Sequence, residues 1–301
     1  MAEKDTLEKA LIARNDVFAD IVNNLLFQGE QYIKESELEQ GRERSYYGTD
    51  KSIREQERDV SKYWKQNNLR IAYIGIENQA EAEDDMPLRV ISYDGAAYRD
   101  QIGYDTDDNR KRIRAKSRFP VVSLVLYFGY KKHWDKAKTL HEALGDRIDE
   151  RLKPYINDYE IKLFEIAYLT EKQLAGFKSD FRFVADYFVQ KRKTGTYIGS
   201  MEKVRHIREV LQLLSYLAND RRFNEVAEMV EKEGELGTMC EVLDQIEARG
   251  IAIGEAKGEA KGADHMAKLI RILIPGSKDY EDALNGSNET RQELYKKYNI
   301  K

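Results

Sequence analysis

The chain holds one cysteine, Cys240, so no intrachain disulfide framework can form and a reducing compartment is expected. Its four histidines, His133, His141, His206 and His265, are scattered without metal-ligand spacing, and a single thiol rules out a cysteine-based zinc site. The apolar stretch from Phe119 to Gly129 is too short to cross a bilayer, and Met1 to Asp5 begins no apolar leader. The expectation is a cytoplasmic protein with no membrane partner. Also missing are a G-x-x-x-x-G-K-[ST] phosphate loop, a G-x-G-x-x-G turn after a strand and a G-x-S-x-G elbow; Gly254 to Gly258 only imitates glycine richness. Nor is there an excess of positive charge, since the formal net charge is −4. A nucleic-acid partner would therefore require local concentration of cations.

What is present is enough chain, at 301 residues, for one large domain with appendages. Charged residues make up 35% and the mean hydropathy is −0.70, yet 19 Tyr and 10 Phe argue against wholesale disorder. Leu7, Leu11, Phe18, Ile21, Val22 and Leu25 fall at helical spacing, with Gly29 to end the helix. Residues 31–50 are polar and glycine-punctuated, which reads as a loop over the active face. Strands are expected over 58–65 and 69–77 around a tight Gln66-Asn67-Asn68 turn. Pro87 opens a covering helix. The Val- and Leu-rich run at 119–129 reads as a buried central strand, and 161–169 as a further strand. After Thr170 only amphipathic helices are expected, over 172–192, 200–218 and 223–233. Gly250, Gly254, Gly258 and Gly262 then recur every four residues; they read as a weakly helical linker, or else as a face that another backbone approaches closely. The last residues, from Ala283, read as a short charged helical end. The class is α/β, or α+β with a mixed sheet.

Two short stretches carry the chemistry: Arg58-Asp59-Val60, and Gly75-Ile76-Glu77-Asn78-Gln79 at the end of the next strand. Side chains at i and i+2 of a strand share a face, so Glu77 and Gln79 point one way and Asn78 the other. Paired as a hairpin, the strands put Asp59 beside Glu77. Two converging carboxylates form a hard-oxygen site suited to Mg²⁺, the chemistry of phosphodiester cleavage.

An acid, a β-hairpin, an E-x-K or E-x-Q pair and a helix, in that order, resemble the PD-(D/E)xK nuclease superfamily. More closely, the chain resembles the Rpn family of recombination-promoting nucleases, also labelled putative transposases. The likeness runs in order through Val17 to Asn23 with Leu26-Phe27, Glu57 to Val60, Gly75 to Gln79, Met86 to Asp94, Pro120 to Gly129 and Asn157-Asp158-Tyr159. The resemblance implies a restriction-endonuclease-like core, a mixed central sheet flanked by helices, over residues 1–170. A C-terminal helical extension over 171–235 and a Gly-repeat segment with a charged tail over 236–301 would follow. It implies Mg²⁺, with Mn²⁺ substituting, held by Asp59, Glu77 and the backbone carbonyl of Asn78. Gln79 stands where most of the superfamily carries Lys; its amide can orient a water but cannot accept a proton. Asp20 is a further candidate, because relatives supply an acid from the first helix, although Asp16 shares its face. Asp84 and Asp85 read as helix caps.

Cations gather where DNA contacts would need them. Six fall within nine positions at 110–118, among them Arg110, Lys111, Arg112 and Arg114, and such a cluster neutralises phosphates. Lys131 and Lys132 precede His133 and Trp134, an aromatic that could stack on an unpaired base. On the helix after Pro87, Arg89, Tyr93 and Arg99 could reach the phosphate beside the metal. The expectation is a Mg²⁺-dependent DNA endonuclease of limited sequence preference, whose double-strand breaks would promote recombination. A homodimer would unite separate basic patches into one groove. Two other classes stay open: a nuclease-inactive DNA-binding or scaffold protein, and a toxin-like or phage-defence RNase.

Overall fold

The computed structural model describes residues 9–41, 44–49, 52–57, 59–67, 69–102, 104–106, 112–114, 118–233 and 236–300. For 44–49, 52–57, 104–106, 112–114 and 233 it describes the backbone alone. Five strands form a mixed sheet in the order β1 (Leu38–Gln40), β4 (Val60–Gln66), β5 (Leu69–Gln79), β8 (Val121–Tyr127) and β9 (Lys162–Glu165). β4 and β5 pair antiparallel through a turn in which Asn67 takes φ 48°, a left-handed conformation that asparagine tolerates. β5, β8 and β9 run parallel. Parallel neighbours need a crossover, and helix α2 (Met86–Arg99) lies in the one between β5 and β8. Two hairpins stand apart from this sheet: β2 (Arg44–Thr49) with β3 (Ser52–Glu57), and β6 (Tyr104–Thr106) with β7 (Arg112–Arg114).

The apolar run read as a central strand is one. Leu124, Val125 and Leu126 of β8 are fully buried, because helices cover both faces. Met86 and Val90 of α2 pack with Val125, Tyr127, Trp134 and Ile161 on one face. The other is covered from α1 (Asn15–Leu25), whose Phe18 ring lies under Lys62, and from α3 (Phe181–Thr194), whose Phe181 and Phe188 meet Phe128.

Several elements differ from the sequence reading. The first helix is interrupted: 9–13 are helical, Arg14 turns out to ψ 137°, and α1 restarts at Asn15. Within 31–50, expected as loop, Leu38–Gln40 joins the sheet edge and Arg44–Thr49 forms half a hairpin. A three-residue edge strand with one apolar side chain shows no alternation to read; Lys62 Nζ donating to Gln40 Oε1 at 3.1 Å helps to hold it. The strand expected over 161–169 is cut to Lys162–Glu165 and continues as a 3₁₀ turn, Ile166–Tyr168. The helix expected over 172–192 is two pieces, Glu171–Gly176 and α3. The Asp20 carboxylate accepts the backbone N–H groups of Lys178 and Ser179 between them, donors that a continuous helix would use itself. Next come α4 (Ile207–Leu217) and α5 (Arg221–Glu233).

The chain divides into two compact units, Met1–Val242 and Leu243–Lys301. The glycine repeat lies in α6 (Met239–Ile272), a continuous helix of 34 residues rather than a weakly formed linker. In the second unit, Leu269 and Leu273 pack with Ala283 of α7 (Lys278–Asn285) and Leu294 of α8 (Asn288–Lys297).

Candidate active site

The β4–β5 register pairs Val60 with Ile76, so the next positions outward, Asp59 and Glu77, face one another on the same side of the sheet. Asp59 sits immediately before β4 and is tied to β5 by a hydrogen bond: the Asn78 N–H donates to its Oδ2 at 2.7 Å. Its other oxygen, Oδ1, lies 3.8 Å from Lys9 Nζ. Glu77 is 1% exposed, and its Oε2 stands 3.6 Å from an Arg89 guanidinium nitrogen. The same guanidinium donates to Glu83 at 2.8 Å and reaches the Tyr93 hydroxyl at 3.5 Å. Arg89 and Tyr93, one turn apart on α2, therefore present one face to the two carboxylates.

The electrostatics fit this geometry. Burial and then the Glu77 charge lift the Tyr93 phenol above its ordinary value against the pull of Arg89, and Asp59 adds to the rise. Burial works against charge on Arg89, but Tyr93, Glu77 and Glu83 outweigh it, and the guanidinium holds its proton more tightly than usual. Gln79 is buried at the end of β5, on the Glu77 side by strand alternation. Asn78 points to the opposite face, where its Oδ1 is buried without a hydrogen-bond partner among the described residues.

Asp59, Glu77, Asn78, Arg89 and Tyr93 are thus brought together. Asp20 stands elsewhere among the described residues. It is buried beneath a different cavity, lined also by Asp16, Lys178 and Asp180, where its Oδ2 accepts the two N–H groups before α3 at 2.8 and 2.7 Å. Asp16 faces His206 and Arg205 at 3.5 and 3.8 Å. Arg99 is exposed in the last turn of α2. Arg110 and Lys111 lie outside the described residues, while Arg112 and Arg114 belong to β7, described for its backbone alone. Lys131 and Lys132 are exposed, the latter paired with Asp135 at 2.7 Å.

Two readings are corrected. Trp134 is 4% exposed, edge-on to Tyr127, its indole N–H donating to the Ala137 carbonyl; it is a core residue and offers no face to a base. Asp85 occupies the N-cap position of α2 without making a side-chain cap hydrogen bond, and Asp84 pairs with Lys136 instead. Lys9 was missed: fifty positions from Asp59, it carries no spacing signal. Glu83 could have been found from its place at the head of α2, beside Arg89.

The donor set suits a hard divalent ion. No group of three or more His, Cys, Asp or Glu is placed to hold a metal among the described residues. Mg²⁺ does not require one, because it is commonly held by one or two carboxylates with waters and substrate phosphates completing its shell.

A mixed sheet that carries paired carboxylates at the end of a β-hairpin, faced by an arginine and a tyrosine from the crossover helix, is the frame within which the family assignment falls. The chain belongs to the family described as "Putative transposase, YhgA-like", which matches residues 4–221 and so contains every candidate residue above. That membership supports a nuclease- or transposase-like role. Comparison with curated proteins and with solved structures found no match. Among the described residues no helix is long and apolar enough to cross a membrane.

Proposed function

We propose that the protein is a Mg²⁺-dependent DNA endonuclease of the PD-(D/E)xK type, hydrolysing phosphodiester bonds with limited sequence preference and promoting recombination through the breaks it makes. The observation that carries this reading is the Asp59–Glu77 pair, set side by side by the hairpin register and fixed by the Asn78 N–H bond to Asp59. Asp59, Glu77 and the Asn78 carbonyl would hold the ion, with Mn²⁺ substituting; bound there, it would polarise a phosphoryl oxygen and lower the pKa of a coordinated water.

The chain's own residues do the rest. Arg89 holds its charge firmly and presents it beside Glu77, positioned to bind a phosphate oxygen. Tyr93, its phenol kept protonated, serves as a neutral donor to the same group. The Gln79 amide orients a water or phosphate oxygen without taking a proton. Arg99, Lys131 and Lys132, with the 110–118 segment, would supply the sequence-independent attraction to the DNA backbone.

The test is incubation of the purified protein with supercoiled plasmid, with and without Mg²⁺, beside Glu77→Ala. Nicking or linearisation that needs the metal and is lost in the variant is expected. Equal cleavage by the variant, or none by the wild type, would remove the proposal.

A further inference from the structure

The stacking residue that Trp134 does not provide is offered elsewhere. A cavity of about 550 Å³ opens at the carboxyl ends of the parallel strands β5 and β8, the place where open α/β sheets receive their ligands. Its wall on the β5 side begins at Ala80, the residue directly after Gln79, so the strand that carries Glu77 leads to the cavity. The β8 side supplies Tyr130, Lys131 and Lys132, and the end of α4 supplies Tyr216. Tyr216 is 49% exposed on a helix whose other apolar residues are buried. Lys131 is exposed and makes no ion pair among the described residues. Glu81 is also among the lining residues, so the cavity carries both a cation and a carboxylate.

An aromatic face with a lysine beside it matches the repeating unit of a single nucleic-acid strand. A base stacks on the ring and the flanking phosphate meets the cation, whatever the sequence. The Glu81 carboxylate in the lining repels a second phosphate and can accept from the N–H edge of a base. We infer that this cavity receives one unstacked base of the strand whose phosphate lies at Asp59 and Glu77, with Tyr216 as the platform and Lys131 on the neighbouring phosphate. The inference rests on the proposal that this site acts on DNA, and it names the substrate class. Bases in an intact duplex are stacked and must be extruded at a cost of about a few kcal/mol, so single strands, gaps and frayed ends are preferred.

The experiment measures binding without catalysis. A short fluorescent oligonucleotide carrying 2-aminopurine is titrated with the full-length protein in a metal-free buffer, as a single strand and as a blunt duplex. The single strand binds more tightly, and 2-aminopurine fluorescence is quenched on stacking. Tyr216→Ala weakens single-strand binding by about 5- to 150-fold and abolishes the quench. Tyr216→Phe, which keeps the ring, retains both, and a circular dichroism melt of the alanine variant that matches the wild type shows that its loss is not one of folding. Equal affinity for duplex and single strand, or a Tyr216→Ala variant with unchanged affinity and quench, would overturn the inference. The plasmid assay separates the two proposals: cleavage that persists beside a Tyr216-independent affinity rejects only the base pocket. Absence of cleavage beside Tyr216-dependent stacking rejects only the nuclease.

Discussion

Asp59 joins architecture and chemistry in one side chain, and the two can be pulled apart. Its Oδ2 accepts the Asn78 N–H, a hydrogen bond to a charged group that contributes about 1.5–3 kcal/mol. Asp59→Asn keeps an acceptor of the same shape and removes the charge; it should unfold in urea within about 1 kcal/mol of the wild type while losing metal-dependent cleavage. Asp59→Ala removes both and should lose about 2 kcal/mol as well. An asparagine variant that cuts plasmid normally would show that the carboxylate is only a strand clamp. The Asp59–Glu77 pairing was legible because a hairpin needs only its turn and its period of two to fix which residues face each other. Lys9 was not, since a contact between sequence-distant residues follows from how α1 and its preceding turn dock. Trp134 was misread for a local reason: its neighbours Lys131, Lys132 and His133 look like surface, yet Glu165 Oε1 accepts the Trp134 N–H at 2.7 Å and the side chain turns inward.

Whole elements obeyed the strength of their patterns. β8 and the β4–β5 hairpin could be read because apolar runs and alternation specify burial directly, whereas β1 and the β2–β3 hairpin are polar and are held by backbone pairing that no pattern announces. α2 was recognised from Pro87, but its anchor was not. Asp94 on its inner face is buried, accepts from Ser123 Oγ of β8 at 2.6 Å and also accepts from the Tyr159 hydroxyl, bridging helix, central strand and the approach to β9. Because the same helix presents Arg89 and Tyr93, this bridge sets their position over Glu77. Asp94→Ala leaves the buried Ser123 hydroxyl without this acceptor, removes the bond from Tyr159, and should cost about 2 kcal/mol, an orphaned buried group contributing about 1–3. Asp94→Asn, which keeps one acceptor oxygen, should cost less, and both should reduce cleavage through the displaced arginine. Urea unfolding of the two variants decides this; an alanine variant of wild-type stability would mean that the bridge holds nothing in place.

At the scale of the molecule, the net charge of −4 is compatible with the proposed DNA substrate only through where the cations stand, and the described ones at Lys131, Lys132 and Arg89 lie around the carboxyl ends of the strands. The glycine repeat has no such explanation among the described residues. A Cβ added at Gly250, Gly254, Gly258 or Gly262 meets nothing within 4 Å, and all four are exposed in α6. Glycine within a helix is about 0.5–1 kcal/mol less favourable than alanine, because the unfolded chain has more conformations to lose. Replacing all four by alanine should therefore stabilise α6 by about 2–4 kcal/mol, seen as a higher melting temperature in the helical circular dichroism signal of the full chain. The sign of the change discriminates between the two readings of the stripe. A gain means that no backbone packs on it and the glycines only soften the helix. A loss, accompanied in sedimentation by a shift to a smaller species, would mean that a second copy of the chain lies against the stripe in solution, where a methyl group cannot fit.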